Sequence, residues 1–273
     1  MPELPEVENT KRYLIQAGLP GRTFTGADIG WAKTVQTPSL EEFVLGLTGG
    51  AVQEVTRRGK YLLINLSGNA SQGGPTLVVH LGMTGGLRIQ PHSQPAHPMV
   101  RHTFFLDDKT ELRFQDGRKF GKLWLTSDPA DILPPLSPDP LSAEFTPKML
   151  RESLGGRNAP VKALLLEQSI VSGMGNLYAD ESLFLAGISP LRPASKLSLK
   201  EVSRLTDAIV SSLTTALDRY DQSRAEQWPD PPMGLSTWSI PREKNGVCPS
   251  CGGPISTVRV RARGTCFCPK CQK

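Results

Sequence analysis

The segment SDPADILPPLSPDPLSAEFTP, residues 127–147, separates two parts of the sequence that differ in hydrophobic period. Its prolines (Pro129, Pro134, Pro135, Pro138, Pro140, Pro147) fix φ and remove backbone donors, so neither a helix nor a central strand continues through it. On its N-terminal side, short β-branched or aliphatic runs alternate with Gly, Asn and Asp turns: Val52–Val55, Tyr61–Leu66, Thr76–His80, His102–Leu106, Leu112–Phe114 and Lys122–Leu125. On its C-terminal side Thr146 and Pro147 read as N-cap and first turn, and Val161–Gln168, Asn176–Ala186 and Leu199–Tyr220 carry helical periodicity.

Ahead of the strands, Leu4, Val7, Leu14 and Ile15 recur near helical spacing after Pro5, with Gly18 as a stop, so the chain starts almost directly on a helix. The pattern is that of an α+β multidomain chain. Residues 1–127 form an N-terminal helix and an antiparallel β-sandwich, 128–147 a linker, 148–239 a helical domain and 240–273 a terminal module. Residues 223–246, rich in Pro and polar side chains, give no assignment.

The terminal module is defined by Cys248-Pro-Ser-Cys251 and Cys268-Pro-Lys-Cys271, sixteen residues apart, the spacing of a four-thiolate zinc ribbon. All four zinc positions are then filled by protein, so the one Zn²⁺ per chain is structural and has no open site for water. The Val258–Val260 run suits a small hairpin between the cysteine pairs. Cys266 reads as a small buried hydrophobe. Arg259, Arg261 and Arg263 alternate, which places them on one face of a strand, where they line a phosphate groove or stand as solvated charge.

The charge is concentrated there. Of a formal +5, residues 240–273 carry seven bases and one acid, whereas the rest of the chain has 24 bases against 25 acids. A basic module on a nearly neutral body points to a polyanionic partner. Mean hydropathy is −0.24 and no apolar run approaches the roughly 18 residues of a membrane-spanning helix. The opening MPELPEVENTKR has no apolar signal core, so the expectation is a cytoplasmic protein with reduced or metal-bound thiols.

At the N-terminus, removal of Met1 leaves Pro2 as a secondary amine at the positive end of a helix dipole, which favours its neutral, nucleophilic form. Attack of such an amine on a sugar carbonyl carbon gives a cationic iminium, an electron sink for elimination, with Glu3 beside it to move protons. Pro2 equally serves as an ordinary helix opener.

MPELPEVE, RRGKYLL (57–63), HLGMTGGLR (80–88), DGRKFG (116–121), SGMGNLYADESLF (172–184) and the terminal RGTCFCPKCQK together resemble the formamidopyrimidine-DNA glycosylases, from the first residue to the last. Leu4 favours this family over the related endonuclease VIII group. The resemblance implies a helix–two-turn–helix fold in the helical domain and a bifunctional DNA glycosylase and abasic-site lyase of base excision repair. Its substrates would be oxidised purines in duplex DNA, cleaved by β,δ-elimination. It implies a monomer of the bacterial cytoplasm, at the nucleoid when on DNA.

Carried over by position, Pro2 is the nucleophile at C1′, Glu3 the acid that opens the sugar, and Glu6 a supporting carboxylate in the lesion pocket. Lys60 contacts phosphates and assists elimination, and His80 binds backbone. Met83, Arg118 and Phe120 fill the space of the extruded base, Arg118 facing the orphaned cytosine; extrusion costs a few kcal/mol, which apolar wedges offset. Alone, His80, Met83 and Phe120 read as core residues. Gly173, Gly175 and Asn176 form the turn whose N–H groups meet a phosphate, and Arg263 is the zinc-hairpin arginine.

Two places depart from the family. Asp221-Gln222-Ser223-Arg224 stands where a Gly-Gly-Thr/Ser-Thr segment is usual, and Trp238–Arg242 where Val-Tyr-Gly-Arg is usual. That region bears on base choice, so an endonuclease VIII-like preference for oxidised pyrimidines and a non-catalytic damage-binding protein are the alternatives.

Overall fold

Helix α1 (Leu4–Gln16) starts in a capping box: the Glu3 side chain accepts the Glu6 N–H and the Glu6 side chain accepts the Glu3 N–H. Leu4, Val7 and Leu14 are fully buried, while Ile15 is 45% exposed, so one stripe of the predicted pattern faces the core. Gly18, at φ +74°, turns the chain away in the left-handed region. In the computed structural model, residues 1–68, 74–227, 238–243 and 245–273 are described.

Nine strands follow among the described residues: β1 (Phe24–Ile29), β2 (Val35–Thr37), β3 (Val52–Arg58), β4 (Tyr61–Leu66), β5 (Thr76–His80), β6 (Gly86–Pro91), β7 (Val100–Leu106), β8 (Thr110–Gln115) and β9 (Lys122–Thr126). A short helix, α2 (Leu40–Leu47), lies between β2 and β3. The strands pair as β1-β7-β8-β6 and as β2-β9-β5-β4-β3. Among the described residues all pairings are antiparallel, as the sandwich expectation has it, except the edge pair of β2 with β9, which is parallel. Strand β7 shows why the sheets pack: His102, Phe104 and Leu106 are buried, and Thr103 and Phe105 between them are partly exposed. Phe104, Leu112 and Phe114 of one sheet share a core with Leu62, Ile64, Leu77 and Leu123 of the other and with Val7 and Leu14 of α1. Each such side chain contributes about 1.5–3 kcal/mol on burial.

Among the described residues, these strands and helices belong to a unit made of Met1–Leu133 and residues 220–227; Pro134–Arg219 and the C-terminal segment from residue 238 form the other. In the second unit Thr146 caps α3 (Pro147–Leu154) through its side-chain oxygen and the Met149 N–H, and Gly155 at φ +57° closes it. α4 (Val161–Leu165) is shorter than the periodicity through Gln168 predicts, and turns occupy 166–175. α5 (Asn176–Leu185) follows, then α6 (Leu199–Gln227), which runs seven residues past Tyr220 into the unassigned stretch. Val202, Leu205, Ile209, Leu213 and Leu217 form its buried stripe. The C-terminal hairpin pairs β10 (Ser256–Val260) with β11 (Arg263–Phe267), and Phe184, Ile240, Cys248, Cys266 and Cys268 cluster beside it.

Candidate active site and nucleic-acid interface

Pro2 is buried and immediately precedes the α1 cap, at the positive end of that helix. Glu3 is 2% exposed. Both Glu6 carboxylate oxygens are engaged: Oε2 accepts the Glu3 N–H at 2.8 Å and Oε1 accepts the Tyr220 hydroxyl at 3.0 Å. Lys60, 8% exposed, occupies the two-residue turn between β3 and β4 behind Gly59, whose φ of +55° suits glycine. α1 packs against β3, β4 and β6. A buried ion pair ties this helix to the lysine's turn: Arg57 Nε donates to Glu8 Oε2 at 2.9 Å and its Nη1 to the Gly59 carbonyl at 3.1 Å. Burial alone would raise the Glu8 carboxyl, but Lys11 and Arg57 hold it at about 2. The helix that begins at Pro2 and the turn that carries Lys60 are thus one assembly.

His80 ends β5 with its ring 5.0 Å from that of Tyr61. Its Nδ1 accepts the Gly82 N–H at 3.1 Å, which puts the hydrogen of the neutral ring on Nε2. Burial, then the charges of Lys60 and Lys122, pulls its pKa down to about 4, so it is a neutral donor at physiological pH. Met83 is half-buried in the loop after His80, whereas Arg118 and Phe120 are exposed on the β8–β9 loop. Phe120 is 51% exposed with the Arg118 guanidinium 5.1 Å from its ring centre. Here the core alternative for Phe120 fails.

In the second unit the turn Ser172–Gly175 is held by Gly173 N–H to Gln168 Oε1 at 2.9 Å and Gln168 Nε2 to the Met174 carbonyl at 2.9 Å. Gly175, the N-cap of α5, has no side chain to offer that helix, whose N-terminus carries the positive end of its dipole. Asn176 donates through Nδ2 to the Gly264 carbonyl at 3.0 Å, which brings it beside Arg263. Its Oδ1 is buried and unpartnered among the described residues.

The three arginines do not share a strand face. Arg261 and Ala262, at φ +47° and +59°, form a two-residue reversal, with Arg259 on one strand and Arg263 opening the next. Arg261 pairs with Glu167 at 2.5 Å, and Arg157 with the same carboxylate at 2.8 Å. Arg259 and Arg263 are exposed and make no ion pair among the described residues, so of the three only Arg261 is tied to a carboxylate.

The Sγ atoms of Cys248, Cys251, Cys268 and Cys271 lie within 4.8 Å of one another. Cys248–Cys271 and Cys251–Cys268 are 3.8 and 3.6 Å apart, and a tetrahedral site with zinc–sulfur bonds of about 2.3 Å requires edges of about 3.8 Å. The donor set therefore fits Zn²⁺. Cys266, 8% exposed, stays outside the cluster and fills the small core.

Several supporting residues carried no sequence signal. Lys162, fully buried, pairs with Asp180 at 2.6 Å and donates to Thr265 Oγ1 at 2.7 Å and to the Gly264 carbonyl at 3.2 Å. Burial lowers its pKa against the opposing pull of Asp180. Asp180 also receives Arg242 at 2.7 Å and the Cys266 N–H at 3.2 Å, so α4, α5 and the residues before the first cysteine brace the arginine hairpin. Within the divergent stretch, Trp238 packs edge-on against Tyr178 at 5.0 Å, and Glu181 accepts the Ser239 N–H at 2.9 Å and the Ile240 N–H at 3.3 Å. Asp221–Ser223 lie in α6; the side chain of Arg224 is outside the described residues.

Comparison with known proteins covers the whole chain. The formamidopyrimidine-DNA glycosylase N-terminal domain matches residues 1–123, the helix–two-turn–helix domain of the same enzymes residues 136–227, and the zinc finger found in these enzymes and isoleucyl-tRNA synthetase residues 246–273. A formamidopyrimidine-DNA glycosylase of Synechococcus sp. is 38% identical over 285 residues, covering 100% of this chain and 99% of the relative. The Lactococcus lactis enzyme bound to DNA containing Fapy-dG superposes with a TM-score of 0.87 at 30% identity, covering 99% of this chain and 100% of that one. A complex of the wild-type Lactococcus lactis enzyme with DNA containing an oxidised pyrimidine gives 0.87 at 31% identity, covering 100% of both chains. Among the described residues no helix is long and apolar enough to cross a membrane.

Proposed function

The chain belongs to the formamidopyrimidine-DNA glycosylase family, and from that premise we propose that it excises oxidised purines from duplex DNA and cleaves the strand at the resulting site, in the bacterial cytoplasm. The observation that carries the reading is that the helix led by Pro2 and Glu3 is tied to the turn of Lys60: Pro2 is buried at the α1 cap, Glu3 is buried beside it, and Arg57 joins Glu8 of α1 to Gly59 next to Lys60.

On this reading residues 1–127 perform the chemistry, 128–147 link, and 148–239 and 240–273 grip DNA. The Pro2 nitrogen, freed of Met1, attacks C1′ of the extruded nucleotide. The bond from C1′ to the base breaks, and the base leaves with the bonding pair and a proton. Glu3 protonates the ring oxygen as the C1′–O4′ bond opens, which gives the iminium. Loss of a C2′ proton expels the 3′ phosphate, and a second elimination expels the 5′ phosphate, leaving a one-nucleotide gap. Lys60 neutralises phosphate as these bonds break. Glu6 braces the lesion pocket, and His80 donates to backbone as a neutral imidazole. Met83, Arg118 and Phe120 occupy the vacated stack. The N-terminus of α5, with Gly175 and Asn176, and the exposed Arg263 take further phosphates. Zn²⁺ supplies folding energy to the hairpin on Cys248, Cys251, Cys268 and Cys271 and no chemistry to the reaction.

A duplex with 8-oxoguanine opposite cytosine, compared with one holding an oxidised pyrimidine, tests the substrate. Cleavage favouring the purine supports the reading. Preference for the pyrimidine, a lesion present in DNA bound to a Lactococcus lactis relative, moves the enzyme to the second class. Binding of either duplex without cleavage would leave a damage-binding protein.

A further inference from the structure

The loop after β5 and the loop between β8 and β9, which carry Met83 and Arg118 with Phe120, are joined by one carboxylate. Asp116 follows β8 and is 1% exposed. Its Oδ1 accepts the Thr84 hydroxyl from the opposite loop at 2.7 Å and the Arg118 N–H at 3.1 Å; its Oδ2 accepts the Gly121 N–H at 2.7 Å. The Thr84 oxygen in turn receives the Arg118 N–H at 3.2 Å. The backbones of the two loops are in contact as well: a Cβ on Gly82, at φ +65°, would lie 2.5 Å from the Phe120 carbonyl carbon. The Asp116 backbone is itself anchored, its N–H on the Met99 carbonyl at 2.9 Å and its carbonyl on Arg101 Nε at 2.9 Å.

We infer that Asp116 is the positioning residue that presents Met83, Arg118 and Phe120 as a single preformed wedge, and that Thr84 is its link to the first loop. This rests on the wedge reading given above. The physical argument is entropic. Two exposed loops that order only on entering DNA would lose backbone freedom at about 1–2 kcal/mol per residue, and that loss would add to the barrier of base extrusion. Three donors converging on one buried carboxylate fix both loops beforehand. Such a role concerns only the step in which the nucleotide leaves the stack, since Asp116 faces loop backbone and Thr84 rather than substrate.

Asp116→Asn keeps the volume but replaces one acceptor with a donor. Thr84→Val removes both side-chain bonds between the loops, Thr84 to Asp116 and the Arg118 N–H to Thr84, and leaves the Asp116–backbone bonds in place; Thr84→Ser restores the hydroxyl. The variants are compared on two DNAs, a duplex with 8-oxoguanine opposite cytosine and a single strand with a preformed abasic site, which needs no extrusion. A 2-aminopurine beside the lesion reports unstacking. The expected result is a fall of about tenfold in duplex excision and in the 2-aminopurine rise for both Asp116→Asn and Thr84→Val, the scale of one lost charge-assisted hydrogen bond. Single-strand cleavage stays at the parent rate and Thr84→Ser recovers the duplex rate. Parent-like duplex rates in both variants overturn the inference, as does an equal loss on single-stranded DNA, which would assign Asp116 to fold integrity. Met83→Ala and Phe120→Ala, measured in parallel, separate the two claims: if they excise from duplex at the parent rate, the wedge reading fails, and the role of Asp116 with it.

Discussion

Glu8 and Arg57 are forty-nine positions apart and meet at 2.9 Å, with side chains 8% and 6% exposed. The Glu8 carboxyl, held at about 2 against 4.5 when unpaired, contributes stability that is fully present above pH 4.5 and is lost as pH falls toward 2. Its scale is on the order of 3 kcal/mol. In Glu8→Gln the fall of melting temperature over that window flattens; an unchanged profile contradicts the pair's role. Arg57→Met removes one of three cations around the buried carboxylate, leaving Lys11 at 2.7 Å and Arg12 at 3.2 Å; it costs about 1–3 kcal/mol in urea unfolding and lowers abasic-site cleavage by loosening the Lys60 turn. His102 marks a second window. Burial, then Arg101, depresses its pKa to about 4 against the opposing charge of Asp116, and neither ring nitrogen has a partner among the described residues. The unfolded chain binds that proton near pH 6.5, so stability is lost as pH falls from 6.5 toward 4, and His102→Leu removes part of that loss. Pro2, Glu3 and Lys60 could be singled out because short motifs surround them. Glu8 gave no such signal, because Lys11 and Arg12 at helical spacing already account for a surface carboxylate and nothing local points to Arg57.

At the level of elements, legibility followed period. The six strand runs and the helices beginning at Leu4, Pro147 and Asn176 lie where alternation and caps place them. Alternation misled at Arg259, Arg261 and Arg263, where a two-residue reversal is made without the Asn or Gly that normally announces one. α4 stops early because the apolar residues Ile170, Val171 and Met174 fill the core from turns. α6 outlasts its apolar stripe because Asp221–Gln227 contains no breaker. The hairpin assigns different work to its arginines. Arg263→Ala weakens DNA binding and reduces the salt slope by about 1, whereas Arg261→Ala leaves the slope unchanged, since that side chain answers Glu167. Equal slopes in both variants would contradict this. Chelation of zinc unfolds the hairpin, seen as loss of DNA binding with both main cores still folded by circular dichroism; affinity unchanged after complete metal removal would contradict it.

Over the whole molecule, the formal +5 falls by two once four thiolates hold one Zn²⁺, so placement of charge matters more than its sum. With about five phosphates contacted, log affinity falls against log salt with a slope near −4.5, and a slope near zero removes the electrostatic account. Family membership, the fold and the four zinc ligands were legible from motifs that reach both ends of the chain. Asp116 and its loop clamp were not, although Asp before Gly is a turn signature, because a carboxylate's third donor, Thr84, lies thirty-two residues away. The central claim is that the chain's second residue is the nucleophile. Borohydride added during cleavage of an 8-oxoguanine duplex tests it, with intact mass first establishing that Met1 is gone. The account predicts a covalent protein–DNA adduct through Pro2 that disappears in Pro2→Gly; an adduct of undiminished yield in that variant would contradict it.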